Sequence, residues 1–85
     1  GGCVNSLIAD GCDIQGSVKN CILFRNVRIE RGASVENCIL FKDTVVKKGA
    51  SLRGIITDKY VTISENVTLT GHERYPMVVA KGATV

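Results

Sequence analysis

Ten positions, Val18, Leu23, Ile29, Val35, Leu40, Val46, Leu52, Thr57, Ile63 and Leu69, follow one another at spacings of 5, 6, 6, 5, 6, 6, 5, 6 and 6 residues, and all but Thr57 are aliphatic. Two residues before each one after Val18 stands Cys21, Val27, Ala33, Cys38, Thr44, Ala50, Ile55, Val61 or Val67, most of them small or β-branched. Side chains two apart on a strand point the same way, so both sets face one interior. A helical period of 3.6 does not accommodate the spacing. The pattern predicts short strands separated by regular bends.

A longer period contains the shorter one. Residues 20–24 read N-C-I-L-F, and residues 37–41 read the same, 17 positions on. The offset carries through Arg25, Lys42 and Lys59, through Gly32, Gly49 and Asn66, and through Val35, Leu52 and Leu69. An earlier N-S-L-I at 5–8 precedes N-C-I-L by 15, so the first turn reads two residues short. Repetition at a fixed period signals stacked units that bury their apolar groups against one another. Three strands per unit make a triangular solenoid. The 85 residues then form a single domain, 1–85, of about five turns. At ~4.8 Å between strands the prism is roughly 24 Å tall. The rhythm breaks at G-H-E-R-Y-P, which places a loop at 70–77 before a last turn carrying Val79, Ala83 and Val85.

Composition narrows the function. Apolar residues make up 45% of the chain, too many for a disordered tail. No apolar run exceeds five residues, which excludes a membrane-spanning helix. A net charge of +3 is too weak to argue for nucleic acid. The chain does not start with Met and shows no signal peptide, so it reads as a cytoplasmic fragment of something longer. Cys3, Cys12, Cys21 and Cys38 contain no C-x-x-C pair and are joined by one histidine, which argues against a zinc site; no metal ligand is assigned. Two disulfides are arithmetically open, but the repeat places Cys21 and Cys38 in the inward column as reduced thiols, with Ser6 next in line.

The outward positions carry the candidate sites. With Cys38 and Leu40 inward, Ile39 points out, and Leu7, Ile22 and Ile56 take the same place in other turns. Phe24 and Phe41, the two phenylalanines of the chain, flank that ladder at a corner. Another outward ladder is Ser17, Ser34, Ser51 and Thr68, so one face is dry and one polar. A contiguous apolar strip marks a contact surface unless other parts of the chain cover it. Arg25, Lys42 and Lys59 align at one position in three turns, with Arg28, Arg31, Lys47 and Lys48 nearby. Like charges one strand apart repel; the simpler reading is a solvated rim, and an anion or effector site is the alternative. His72 reads as a surface-loop residue, Pro76 suits the bend, and the sequon Asn66-Val67-Thr68 carries no weight without a sign of secretion.

The hexad pattern resembles the hexapeptide-repeat proteins, which implies a single-stranded left-handed parallel β-helix; the handedness comes from the resemblance. S-L-I-A-D-G-C (6–12), V-K-N-C-I-L-F-R (18–25), V-E-N-C-I-L (35–40) and Y-P-M-V-V-A-K-G (75–82) resemble the C-terminal domain of bacterial glucose-1-phosphate adenylyltransferase, or ADP-glucose pyrophosphorylase. D-K-Y-V-T-I-S (58–64) is more similar to its GlgD-type regulatory subunit. The resemblance implies a parent nucleotidyltransferase in glycogen biosynthesis that joins ATP and glucose 1-phosphate, with Mg²⁺, to give ADP-glucose and pyrophosphate. Its chemistry belongs to an N-terminal domain whose G-x-G-x-R loop is absent here. The resemblance therefore implies a module with no catalytic residue and no cofactor of its own. Its partners would be the N-terminal catalytic domain and sister subunits of a homo- or hetero-tetramer, and a sugar-phosphate effector. The same module in another sugar-nucleotide pyrophosphorylase, or in the catalytic subunit, is a second reading. A trimeric hexapeptide acyltransferase, with His72 as base between subunits, is a third. The three-histidine zinc site of β-helix carbonic anhydrases is excluded by the single His.

Overall fold

The computed structural model describes residues 3–71, 74 and 77–85. Its strands are two or three residues long and come in threes. The first turn comprises β1 (Cys3–Val4), β2 (Leu7–Ile8) and β3 (Asp13–Ile14). The second has β4 (Ser17–Lys19), β5 (Ile22–Leu23) and β6 (Arg28–Ile29). The third has β7 (Ser34–Glu36), β8 (Ile39–Leu40) and β9 (Val45–Val46), and the fourth β10 (Ser51–Arg53), β11 (Ile55–Thr57) and β12 (Thr62–Ile63). A fifth contributes β13 (Thr68–Thr70) and β14 (Met77–Val79), and its third side is a single bridge from Thr84 to Thr62. The stack is therefore four complete turns and a partial fifth, where the sequence predicts about five.

Each side is a parallel sheet built from every third strand. The first runs β1-β4-β7-β10-β13, the second β2-β5-β8-β11-β14 and the third β3-β6-β9-β12. From β4 to β12 every register step is 17 residues, as in Ser17↔Ser34, Ile22↔Ile39 and Arg28↔Val45. Steps from the first turn are 15, as in Cys3↔Val18 and Asp13↔Arg28. The deficit lies at one corner, where Gln15 and Gly16 do the work of Glu30 to Ala33. Both amides donate to the Ile29 carbonyl, at 2.8 and 3.3 Å, and the chain turns in two residues. Only glycine fits at position 16, because a Cβ would run into the carbonyls of Ala33 and Glu30. The last step is 22, Ile55↔Met77, so five extra residues enter between β13 and β14. Thr70 and Met77, placed at the ends of the predicted loop, belong to the strands that bound it.

The corners explain the recurrent Asn and Gly. Asn20, Asn37 and Gly54 have φ of 54°, 53° and 67°, and Asn26, Asp43 and Tyr60 each have 59°. Asn and Asp tolerate this left-handed region best after Gly. Tyr60 is the bulky exception, and its ring lies under Lys42 Nζ, 5.7 Å from the centroid.

The inward columns are dry. Val18, Leu23, Ile29, Val35, Leu40, Val46, Leu52 and Ile63 are fully buried, as are Val27, Ala50, Ile55 and Val61. Leu69 and Val67 are half-buried because they lie in the last turn. Val85, placed in the last turn, aligns with Ile63 but is 38% exposed, since no described turn lies above it. Thr57 occupies an aliphatic position because it pairs with Thr44 across the core, Oγ1 to Oγ1 at 3.1 Å.

Candidate functional site: an apolar face beside a cationic ridge

The second side carries the apolar ladder. Leu7 pairs with Ile22, Ile22 with Ile39, and Ile39 with Ile56. The structure adds a rung that the sequence did not reveal, Val78, which pairs with Ile56. Leu7 and Val78 at the ends are 71% and 67% exposed, and Ile39 and Ile56 between them are half-buried. Ser17, Ser34, Ser51 and Thr68 form the corresponding row on the first side, all exposed. The third side is mixed. Its Arg28 Nε lies 3.9 Å from Asp13 Oδ2, and Val45 and Thr62 follow.

Past the ladder the chain turns through two outward columns. The first is Ala9, Phe24, Phe41, Asp58 and Ala80, aligned by amide-to-carbonyl bonds from Ala9 to Leu23, Phe24 to Leu40, Phe41 to Thr57 and Asp58 to Val79. Phe24 and Phe41 stack with centroids 4.7 Å apart and planes 14° from parallel. The next column is Asp10, Arg25, Lys42, Lys59 and Lys81. Each is held by the following residue of the next turn: Asn26 N donates to Asp10 O, Asp43 N to Arg25 O, Tyr60 N to Lys42 O and Gly82 N to Lys59 O, at 3.0–3.2 Å. The structure thus aligns Arg25, Lys42 and Lys59 in one column and lengthens the ridge by Lys81. Asp10 stands at its other end. Arg25, Lys59 and Lys81 are exposed, and none of the three makes an ion pair among the described residues.

Sequence reasoning missed Val78 and Lys81 for one cause. The 22-residue step defeats a search at 17, although A-K-G at 80–82 matches D-K-Y at 58–60 once the extra residues are removed.

Two of the thiols fill the small inward column. Cys21 and Cys38 are buried, and all four cysteines are free. Cys21 Sγ donates to Lys19 O and Cys38 Sγ to Glu36 O, each at 3.1 Å, while Ser6 Oγ accepts from Cys21 N at 3.1 Å. The hydrogen bond with the Cys21 side chain, and then burial, push the Cys38 thiol up. Among the described residues no three His, Cys, Asp or Glu side chains gather as a metal site, and no helix is long and apolar enough to cross a membrane. His72 and Pro76 lie outside the described residues.

Short parallel strands in three sheets, a dry triangular core and left-handed corners define a hexapeptide-repeat β-helix. A family described as GlmU-like, C-terminal hexapeptide matches residues 1–75, and the chain belongs to it. Membership makes the coil a left-handed parallel β-helix. The chain is also similar to the glycogen biosynthesis protein GlgD of Bacillus subtilis (strain 168), at 57% identity over 28 residues. That match covers 33% of this chain and 8% of the relative, so most of the relative lies outside it. No solved structure matches.

Proposed function

We propose that this chain is the C-terminal β-helix of a GlgD-type subunit of glucose-1-phosphate adenylyltransferase, and that its second side holds subunits together. The observation that carries the reading is the in-register row Leu7, Ile22, Ile39, Ile56 and Val78, opposed to a hydroxyl row on the first side. A row of aliphatic side chains facing water gains free energy only when another apolar surface covers it. The name of the GlgD relative supplies the link to glycogen biosynthesis. On this reading the chain performs no chemistry. A nucleotidyltransferase domain elsewhere in the parent would bind Mg²⁺ and ATP and join the nucleotide to glucose 1-phosphate in the cytoplasm. Arg25, Lys42 and Lys59 would supply a regulatory contact for an anion such as a sugar phosphate.

The test is Ile39→Glu in the full-length parent assembly, followed by sedimentation velocity. Ile39 is half-buried on the outside of its strand, so the variant folds, but a carboxylate then sits within the contact. The expected result is a shift from tetramer to smaller species. A tetramer as stable as the wild type refutes the contact face.

A further inference from the structure

The aromatic column ends abruptly. Phe24 and Phe41 stack nearly parallel, and the next position toward the first turn, one strand spacing beyond Phe24, is Ala9. One face of the Phe24 ring is covered by Phe41, and Phe24 remains 42% exposed. The step left by the small residue is a shallow open depression of about 300 Å³, lined by Leu7, Ile8, Ala9, Ile22, Leu23 and Phe24. It lies where a third stacked ring would stand. Strand spacing sets the gap: consecutive turns are ~4.8 Å apart, close to the 4.7 Å that separates the two rings already stacked.

The surroundings specify the occupant. The lining is mostly apolar and carries no polar side chain, so it offers little to the hydrogen-bonding edge of a nucleobase or sugar. An apolar aromatic side chain leaves no polar group unpaired there. Immediately beyond the aromatic column runs the cationic ridge, in which Arg25 shares the turn of Phe24. Arg25, Lys59 and Lys81 make no ion pair among the described residues, so the ridge favours carboxylates on the Phe24 side of the step, away from Asp10, which takes the ridge position beside Ala9. The depression is also continuous with the apolar ladder, since Leu7 and Ile22 belong to both.

We propose that the step between Ala9 and Phe24 receives an aromatic side chain of a partner subunit, stacked as the third ring of the column, with acidic neighbours of that side chain lying along Arg25 and the lysines beyond it. The proposal rests on the contact-face reading and names its anchor. Aromatic residues seated in apolar pockets are the usual centres of binding energy, and offset stacking adds to the burial itself. The charges set approach and register more than strength.

The experiment uses the full-length assembly and compares Ala9→Phe, Phe24→Ala, Arg25→Glu and Ile39→Glu by sedimentation velocity over a concentration series at low and high salt. Ala9 is exposed, so Ala9→Phe supplies the third ring from within the chain and leaves the fold intact. Ala9→Leu fills the same step if the aromatic variant fails to fold. Ala9→Phe (or Ala9→Leu) and Phe24→Ala are expected to weaken subunit association tenfold or more. Arg25→Glu is expected to weaken it at low salt and to matter less at high salt. If Ile39→Glu dissociates the assembly while the Ala9 and Phe24 variants leave it unchanged, the anchor is refuted and the contact face stands. If none of the four changes association, both fall.

Discussion

Thr44 and Thr57 are both fully buried, and their hydroxyl protons can be assigned by elimination. Thr44 Oγ1 lies 3.3 Å from the Asp58 carbonyl, which can only accept, so the Thr44 proton goes there. The 3.1 Å contact between the two hydroxyls must then be donated by Thr57. The two residues are consequently not equivalent. Thr44→Val removes the acceptor of a buried O–H and is expected to cost about 1–3 kcal/mol, the penalty for an orphaned buried polar group. Thr57→Val leaves the Thr44 donor satisfied and restores an aliphatic rung between Leu40 and Val79, so it is expected to cost under about 1 kcal/mol. The double variant removes both hydroxyls at nearly constant volume and leaves only the Asp58 carbonyl without its donor, so it is expected to cost less than Thr44→Val alone, a coupling of about 1–2 kcal/mol. Urea denaturation of the four proteins at pH 7 measures the cycle. Thermal melts give a second reading, since 1 kcal/mol moves a domain of this size by about 4–8 °C. Equal costs for the two single variants, with an additive double, would refute the proton assignment and the idea that Thr57 breaks the aliphatic column because of Thr44.

The remaining predictions concern the core. Leu40→Asp places a carboxyl in a fully buried column and is expected to unfold the protein at pH 7; circular dichroism showing intact strands would overturn the inward assignment. Burial raises the folded-state pKa of such an Asp, so the deficit should shrink as the pH falls and the neutral acid becomes the buried species. Thiol titration of the native protein is expected to label exposed Cys3 first and Cys12 more slowly, while Cys21 and Cys38 react only on unfolding. Reductant is expected to leave stability unchanged, and a loss of stability would reveal a disulfide.

The hexads made the interior legible because each inward rung is a local pattern repeated at a constant step. Leu23, Leu40, Val46 and Ile63 are all at most 1% exposed, as the 5-6-6 rhythm requires. Cys21 and Cys38 fill the small column for the same reason. The central ladder rungs Ile22, Ile39 and Ile56, and Arg25, Lys42 and Lys59, could be read as aligned sets because they lie where the step is 17. What escaped depends on contacts that no periodicity encodes. Thr57 looked like a flaw in the column until Thr44 was found across the core. Tyr60 carries a left-handed corner that Asn or Asp carries in the turns before it, and nothing in a hexad marks that substitution. Val78 and Lys81 lay beyond five extra residues, and Ala9 matters only because the ring beside it is uncovered.

The stack also has a mechanical character. Its inter-turn hydrogen bonds run along the axis of the coil, and each strand is held chiefly by the strands directly above and below it. A force applied at the chain ends therefore opens one row of bonds at a time and never loads several sheets in shear together. Each 17-residue turn, once peeled away, lengthens the chain by roughly 55 Å at ~3.3 Å per extended residue. Under tension such a coil lengthens turn by turn, in increments set by its own register of 15, 17 and 22 residues.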